Sequence, residues 1–237
     1  LVKTINTLIV KCPKMTKNHE RTMLARMSLG VGITGLAEYL YKQGYDYDGS
    51  DESLVLTDKI MKTLRDVAYT VSIEMAKEIG SFLVFDFEKE KDNPYLNRLY
   101  SDNPHLKEEM KKYGRRNINI LTCPPCGTIS LITGVTSGIE PIFMKEYKRK
   151  RKVFNHSTNK DEWEEFTVKH PVLEKYDFLD EYYVTSHELN PLDKVKVLSI
   201  IQKYVDNSIS STTNMPKETT TKQISDIMIS AYKNRLK

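Results

Sequence analysis

The stretch NINILTCPPCGTIS, residues 117–130, can be read two ways. An apolar run leads into Cys123-Pro-Pro-Cys126, and the letters that follow could open a helix. Strand, CxxC, helix is the layout of a thiol–disulfide site, where a helix start lowers the pKa of the first cysteine. Read slightly to the right, Cys126-Gly-Thr-Ile-Ser130 offers backbone N–H groups, a glycine that permits close approach, and hydroxyls. That set cradles phosphates. The first reading has the protein move electrons through its own disulfide; the second has it hold a nucleotide. A thioredoxin-like domain places its CxxC near its start, whereas long helical stretches precede this one.

The surrounding composition narrows the field. The chain has 237 residues, 39% of them hydrophobic, enough for one large domain with a core. Nothing approaches the run of about 18–20 apolar residues that spans a bilayer, so no membrane partner is expected. The N-terminus is amphipathic but shows no signal-peptide cleavage site. A net charge of +4 is too mild to imply nucleic acid. The one dense basic run, Lys145 to Lys152, reads as a solvated strand or loop. Three cysteines, an odd number, fit a reducing cytoplasm better than a secreted disulfide scaffold. One CxxC supplies only two ligands and no second pair follows, so no metal site is assigned.

Working outward, the first 45 residues carry Leu24, Met27, Val31, Leu36 and Leu40 at helical spacing. Within them Gly30-Val-Gly-Ile-Thr-Gly35 is a formal GxGxxG, but no βαβ unit surrounds it, so its glycines are read as close-packing positions. Asp48-Gly-Ser50 is a turn and cap. It opens a long helix with Leu54, Met61, Leu64, Ala68, Val71 and Met75 on one stripe and Gly80 at its end. Residues 86–116 are polar and punctuated, which predicts a surface excursion with a short helix. A strand is predicted at 115–122, another strand-like run after Pro141, and an irregular insertion or lid at about 155–183. A helix from Pro191 to about Ile209 carries Val195, Leu198, Ile201 and Val205. Residues 212–215 look extended, and Thr220-x-x-Gln223 is a capping box for a last helix. The order is that of an α/β protein.

Three segments carry a family resemblance. PPCGTISLITGVTSGIEPIF resembles the Pro-Thr-Gly-Thr-Ile-Ser…Ser-Gly-Ile-Glu-Pro signature of adenosylcobalamin-dependent (class II) ribonucleotide reductases. RMSLGVGITGLAEYL resembles that family's Arg-x-x-Gly-Leu-Gly-Val-x-Gly segment, and residues 186–216 resemble its His-x-x-x-Pro…Ile-Ser-x-Thr-x-Asn-x-Pro stretch. The class I large subunit has a related loop but reads Ser-Glu-Thr-Ser there, so class II is the better fit.

The resemblance implies one partial domain over residues 1–237, the C-terminal half of a ten-stranded α/β barrel that reduces ribonucleotides by thiyl-radical chemistry. It places substrate phosphates on Pro125, Cys126, Gly127, Thr128, Ile129 and Ser130, with Cys126 where the family usually has Thr. It implies adenosylcobalamin, a ribonucleotide substrate, a thioredoxin-like reductant and the N-terminal half of the barrel, in the same or a separate chain. The family's radical cysteine lies in an Asn-x-Cys-x-Glu motif. Cys12, in Val-Lys-Cys-Pro-Lys, does not match it, so no catalytic residue is assigned and the chain is expected to be inactive without the rest. Half a barrel exposes sheet edges, so the chain alone is expected to be poorly soluble. A thiol–disulfide oxidoreductase using Cys123 and Cys126, and a non-catalytic nucleotide-binding partner, are the alternatives.

Overall fold

The computed structural model describes residues 1–155, 157, 159–172 and 184–237. Helix α1 (Val2–Lys11) leads to α2 (Lys17–Arg26), which starts where the Thr16 hydroxyl accepts the His19 N–H. Helix α2 stops at Met27, whose backbone turns left-handed at φ 48°. No helix resumes until α3 (Leu36–Lys42). The helical spacing over the first 45 residues therefore resolves into three helices. Val31, counted in that stripe, instead pairs with Leu121 in a parallel bridge.

Helix α4 (Asp51–Ile79) has 29 residues, which at about 1.5 Å per residue makes it about 43 Å long. Its predicted stripe faces inward: Met61, Ala68 and Met75 are buried, and Leu54, Leu64 and Val71 pack against the same core. Gly80 ends it at φ 86°, as expected. Three short helices follow, α5 (Phe87–Glu90), α6 (Pro94–Asp102) and α7 (Pro104–Tyr113). This corrects the expected surface excursion. Tyr95, Leu96, Leu99, Tyr100, Leu106 and Met110 are all buried in the main core.

Helix α8 (Gly127–Thr133) follows the CxxC. Strands β1 (Glu146–Asn155) and β2 (Lys160–Lys169) then form an antiparallel hairpin, with Glu146 opposite Lys169 and Asn155 opposite Lys160. The basic run lies on β1 and is answered across the hairpin, Arg151 to Glu164 at 2.7 Å and Lys148 to Glu165 at 3.2 Å. Strand β2 occupies part of the stretch read as an irregular insertion; residues 173–183 of that stretch lie outside the described residues. Helix α9 (Pro191–Tyr204) ends earlier than expected, because Val205 is already extended. Its four predicted apolar positions are buried. Helix α10 (Thr221–Lys233) has the capping box between Thr220 and Gln223.

The centre of the molecule is a set of three parallel segments rather than a long strand at 115–122. The Val31 N–H donates to the Ile120 carbonyl at 2.8 Å, and the Thr122 N–H returns to the Val31 carbonyl at 2.9 Å. On the other side the Ser210 N–H donates to the Cys123 carbonyl at 3.0 Å, and Cys123 bridges Ile209 in parallel. Among the described residues these bridges and the hairpin are the β structure, and ten barrel strands are not seen. The formal GxGxxG serves this packing: a Cβ on Gly32 would sit 2.3 Å from the Thr122 carbonyl oxygen, and Gly35 has φ 80°.

Asp206 ties the segments together. One carboxylate oxygen accepts the Ile120 N–H at 2.7 Å and the Tyr69 hydroxyl at 2.8 Å, and the other accepts the Leu121 N–H at 2.9 Å. Burial raises the Asp206 pKa above its ordinary value, against the opposing pull of these donors. Asp206→Ala leaves two buried backbone N–H groups unpaired and should destabilise the protein by about 3 kcal/mol or more in denaturant melts; Tyr69→Phe should cost only about 1 kcal/mol. A raised folded pKa means that the proton-linked part of Asp206's contribution, set by burial of the charge, is full below the unfolded carboxyl value and is lost as pH rises through the folded one, while its hydrogen bonds remain. Asp206→Asn should flatten that part of the stability–pH curve.

Candidate functional site

A cavity of about 390 Å³ opens where the parallel segments end, at Cys123 on the central segment and Ser210 on its neighbour. In open α/β folds ligands bind outside the carboxyl ends of parallel strands, which makes this cavity the candidate site. Its volume lies within the range of about 300–1,000 Å³ typical of small-molecule sites. The loop after α8 supplies one wall, through Thr136 and Glu140. The hairpin root supplies another, through Tyr147, Val168 and His170.

The 125–130 loop borders this cavity, and its six residues divide. Pro125 and Ser130 line the cavity. Ser130 is buried and its hydroxyl donates to the Gly127 carbonyl at 2.7 Å, so it braces the loop. Cys126 turns inward: its N–H donates to Ser137 Oγ at 2.9 Å and its thiol to Thr34 Oγ1 at 3.5 Å. Thr34 Oγ1 also donates to the Thr136 carbonyl at 2.7 Å and accepts the Gly138 N–H at 3.1 Å. One hydroxyl thus locks the CPPC loop to the Thr136–Gly138 turn.

Gly127, Thr128 and Ile129 are exposed. They form the first turn of α8, whose N-cap makes no side-chain hydrogen bond. Their N–H groups have no acceptor one turn back. A Cβ on Gly127 would meet nothing within 4 Å, so the space above the loop is open. Because Cys126 points inward, the thiol standing where the resembled family has Thr takes no side-chain contact away from that open face.

The same geometry overturns the thiol–disulfide expectation. Cys123 is 2% exposed, and burial, with the Cys126 thiol beside it, pushes its pKa up to about 12. A nucleophilic redox cysteine needs the opposite shift. The helix also begins after the second cysteine, so the first does not sit at its start.

Two polar clusters behind the cavity escaped sequence reasoning. The buried Glu38 carboxylate accepts the Thr136 hydroxyl at 2.7 Å and lies 3.3 Å from His170 Nε2. Burial lowers the His170 pKa, with Glu38 opposing. The second cluster joins Glu140, in the Gly-Ile-Glu-Pro part of the resembled signature, to Lys194. Lys194 is 3% exposed and its ammonium donates to the Glu140 carboxylate and the Thr212 carbonyl. The other Glu140 oxygen accepts the Thr212 N–H at 3.0 Å. A lysine on the buried face of α9 is the signal that could have found it.

The buried, high-pKa thiol makes a direct prediction. In the native protein near pH 8, iodoacetamide should label exposed Cys12 while Cys123 stays unmodified until denaturant is added. Rapid native labelling of Cys123 would contradict the placement.

Comparison with known proteins gives a consistent result. The family model described as "Ribonucleotide reductase, barrel domain" matches residues 1–237. The chain is 27% identical over 232 residues to the vitamin B12-dependent ribonucleoside-diphosphate reductase of Mycobacterium tuberculosis (strain CDC 1551 / Oshkosh), covering 90% of this chain and 30% of that protein. It is 30% identical over 210 residues to the ribonucleoside-diphosphate reductase subunit alpha of Buchnera aphidicola subsp. Schizaphis graminum, and 29% identical over 210 residues to ribonucleoside-diphosphate reductase 1 subunit alpha of Escherichia coli K12. Each of those two alignments covers 82% of this chain and 26% of the relative. The chain thus spans less than a third of the length of the relatives it matches.

Proposed function

The chain belongs to the ribonucleotide reductase barrel-domain family, and from that premise we propose that it forms the substrate-holding part of a reductase acting on ribonucleoside diphosphates. The observation that carries the reading is the open face of Gly127, Thr128 and Ile129 beside a cavity at the carboxyl ends of parallel segments. The backbone N–H groups of that turn take the phosphates, Pro125 and Ser130 shape the loop beneath them, and Cys126 anchors it through Thr34. The diphosphate is preferred because the Mycobacterium, Buchnera and Escherichia relatives all carry that word in their names. The ten-stranded barrel, the half of it contributed here, a thioredoxin-like reductant and a cytoplasmic setting belong to the same reading of the whole protein. Among the described residues no helix is long and apolar enough to cross a membrane.

Cobalamin dependence rests on one relative's name and on the class II form of the loop. The cavity, at about 390 Å³, has the size of a small-molecule site, and no step is routed through that cofactor. This chain's residues bind and orient: none of its cysteines has the Asn-x-Cys-x-Glu surroundings of a radical cysteine.

Gly127→Ala separates binding from folding. Gly127 sits in open space at a helix start, so alanine should leave the melting temperature unchanged or raise it slightly. The added methyl group should weaken cytidine diphosphate binding to the full-length protein by about tenfold, the loss of one good hydrogen bond to the phosphate. Full-length wild-type protein should reduce the same nucleotide when given a dithiol and the radical source of the resembled class, adenosylcobalamin. Failure of the wild type to bind any ribonucleoside diphosphate would overturn the reading.

A further inference from the structure

The buried lysine behind the cavity asks for an explanation that folding alone does not supply. Lys194 sits on the first turn of α9 and is 3% exposed. A buried ammonium costs several kcal/mol in lost hydration unless it is paired and hydrogen-bonded. Here it is satisfied by two partners, the Glu140 carboxylate and the Thr212 carbonyl. The Thr212 N–H closes a ring by donating to the other Glu140 oxygen at 3.0 Å. Three separate pieces of chain meet in it: the start of α9, the turn before Pro141, and the segment that follows the third parallel strand.

The ring is one-sided. Glu140 and Thr212 line the candidate cavity, whereas Lys194 lines only a small pocket behind them. Glu140 keeps its side chain 25% exposed. Each carboxylate oxygen spends one lone pair inside the ring, on Lys194 or on the Thr212 N–H, and a carboxylate can accept about four hydrogen bonds. Its remaining acceptor capacity belongs to the exposed part of the group. A second support holds the same turn: the buried Tyr47 hydroxyl donates to the Ile139 carbonyl at 2.6 Å. The carboxylate therefore stands at a fixed point of the cavity wall, an acceptor-only group facing a mostly uncharged interior.

Resting on the reading above, we propose that Glu140 accepts a hydrogen bond from an O–H or N–H donor of the bound ribonucleotide, and that Lys194 is the positioning residue that fixes the carboxylate for this contact. The assignment orients the ligand. A carboxylate repels phosphate, so the diphosphate lies toward Gly127 and Thr128 and the neutral, donor-bearing part of the nucleotide lies toward Glu140.

The test uses the full-length protein, with cytidine diphosphate binding measured by equilibrium dialysis and stability by thermal melting. Glu140→Gln and Lys194→Met should each weaken binding by about tenfold, the loss of one charge-assisted hydrogen bond to the ligand. Lys194→Met leaves a carboxylate unpaired and should also lower the melting temperature. The double variant, Lys194→Met with Glu140→Gln, removes both charges and should recover much of that melting temperature while binding stays weak. Recovery of melting and binding together would mean the pair only holds the fold, and would overturn the proposal. Wild-type affinity in Lys194→Met or in Glu140→Gln would overturn it as well. Loss of binding already in the wild type is a different result: it defeats the nucleotide reading itself, and this inference with it.

Discussion

The carboxylate of Asp206 is the joint on which the centre of this protein depends. Three parallel segments too short to make full strands cannot hold register by backbone ladders alone. Asp206 accepts two successive N–H groups of the central segment and the hydroxyl of Tyr69 on α4, so one residue joins the C-terminal segment, the centre and the longest helix. Asn117 does the same at the other end of the central segment. Its amide donates to the Met27 carbonyl at 2.8 Å, and its side-chain oxygen accepts the Ser72 hydroxyl at 2.9 Å. Buried polar groups pay off only when every partner is present, and here the partners are backbone groups of the segments being joined.

That joint has a functional consequence. With register fixed, Cys123 and Ser210 end side by side, and the loops that leave them must diverge around a cavity. The CPPC loop, the turn from Thr136 to Glu140, the hairpin root and the segment from Ser210 to Asn214 all meet there. Thr34, Glu38 and Lys194 each stand behind one of these loops, holding a backbone group or a carboxylate in place. The cavity is thus built from irregular chain supported by rigid elements, the arrangement expected of a binding site.

Much of this was legible in the sequence, and the misreadings have physical causes. The stripe of α4 and the Thr220–Gln223 box are local patterns and appeared where expected. Residues 86–116 were misread because their polar letters mark helix starts. Asn93-Pro94 and Asn103-Pro104 each put an asparagine at the cap and a proline in the first turn, and the Asn93 side chain accepts the Tyr95 N–H at 2.9 Å. The strand expected at 115–122 was overstated because its neighbours supply only single bridges. The helical spacing of the first 45 residues concealed a break at Met27, where a left-handed turn leaves the letters unchanged. The loop at 125–130 stood out through its resemblance to a family signature, but the CxxC could not be judged from spacing. Only burial of Cys123 decided it. Lys194 was missed because a lysine ordinarily reads as surface, although its spacing from Leu198 and Ile201 puts it on the buried stripe of α9.

The central claim is that the loop at 126–129 receives the phosphates of a ribonucleotide at the carboxyl end of the parallel segments. Hydrogen–deuterium exchange on the full-length protein, with and without a saturating ribonucleoside diphosphate, tests it most directly. The account predicts that the amides of Gly127, Thr128 and Ile129, open in the free protein, gain protection when the nucleotide binds. Binding that leaves those three amides exchanging as fast as before would place the phosphates elsewhere and contradict it.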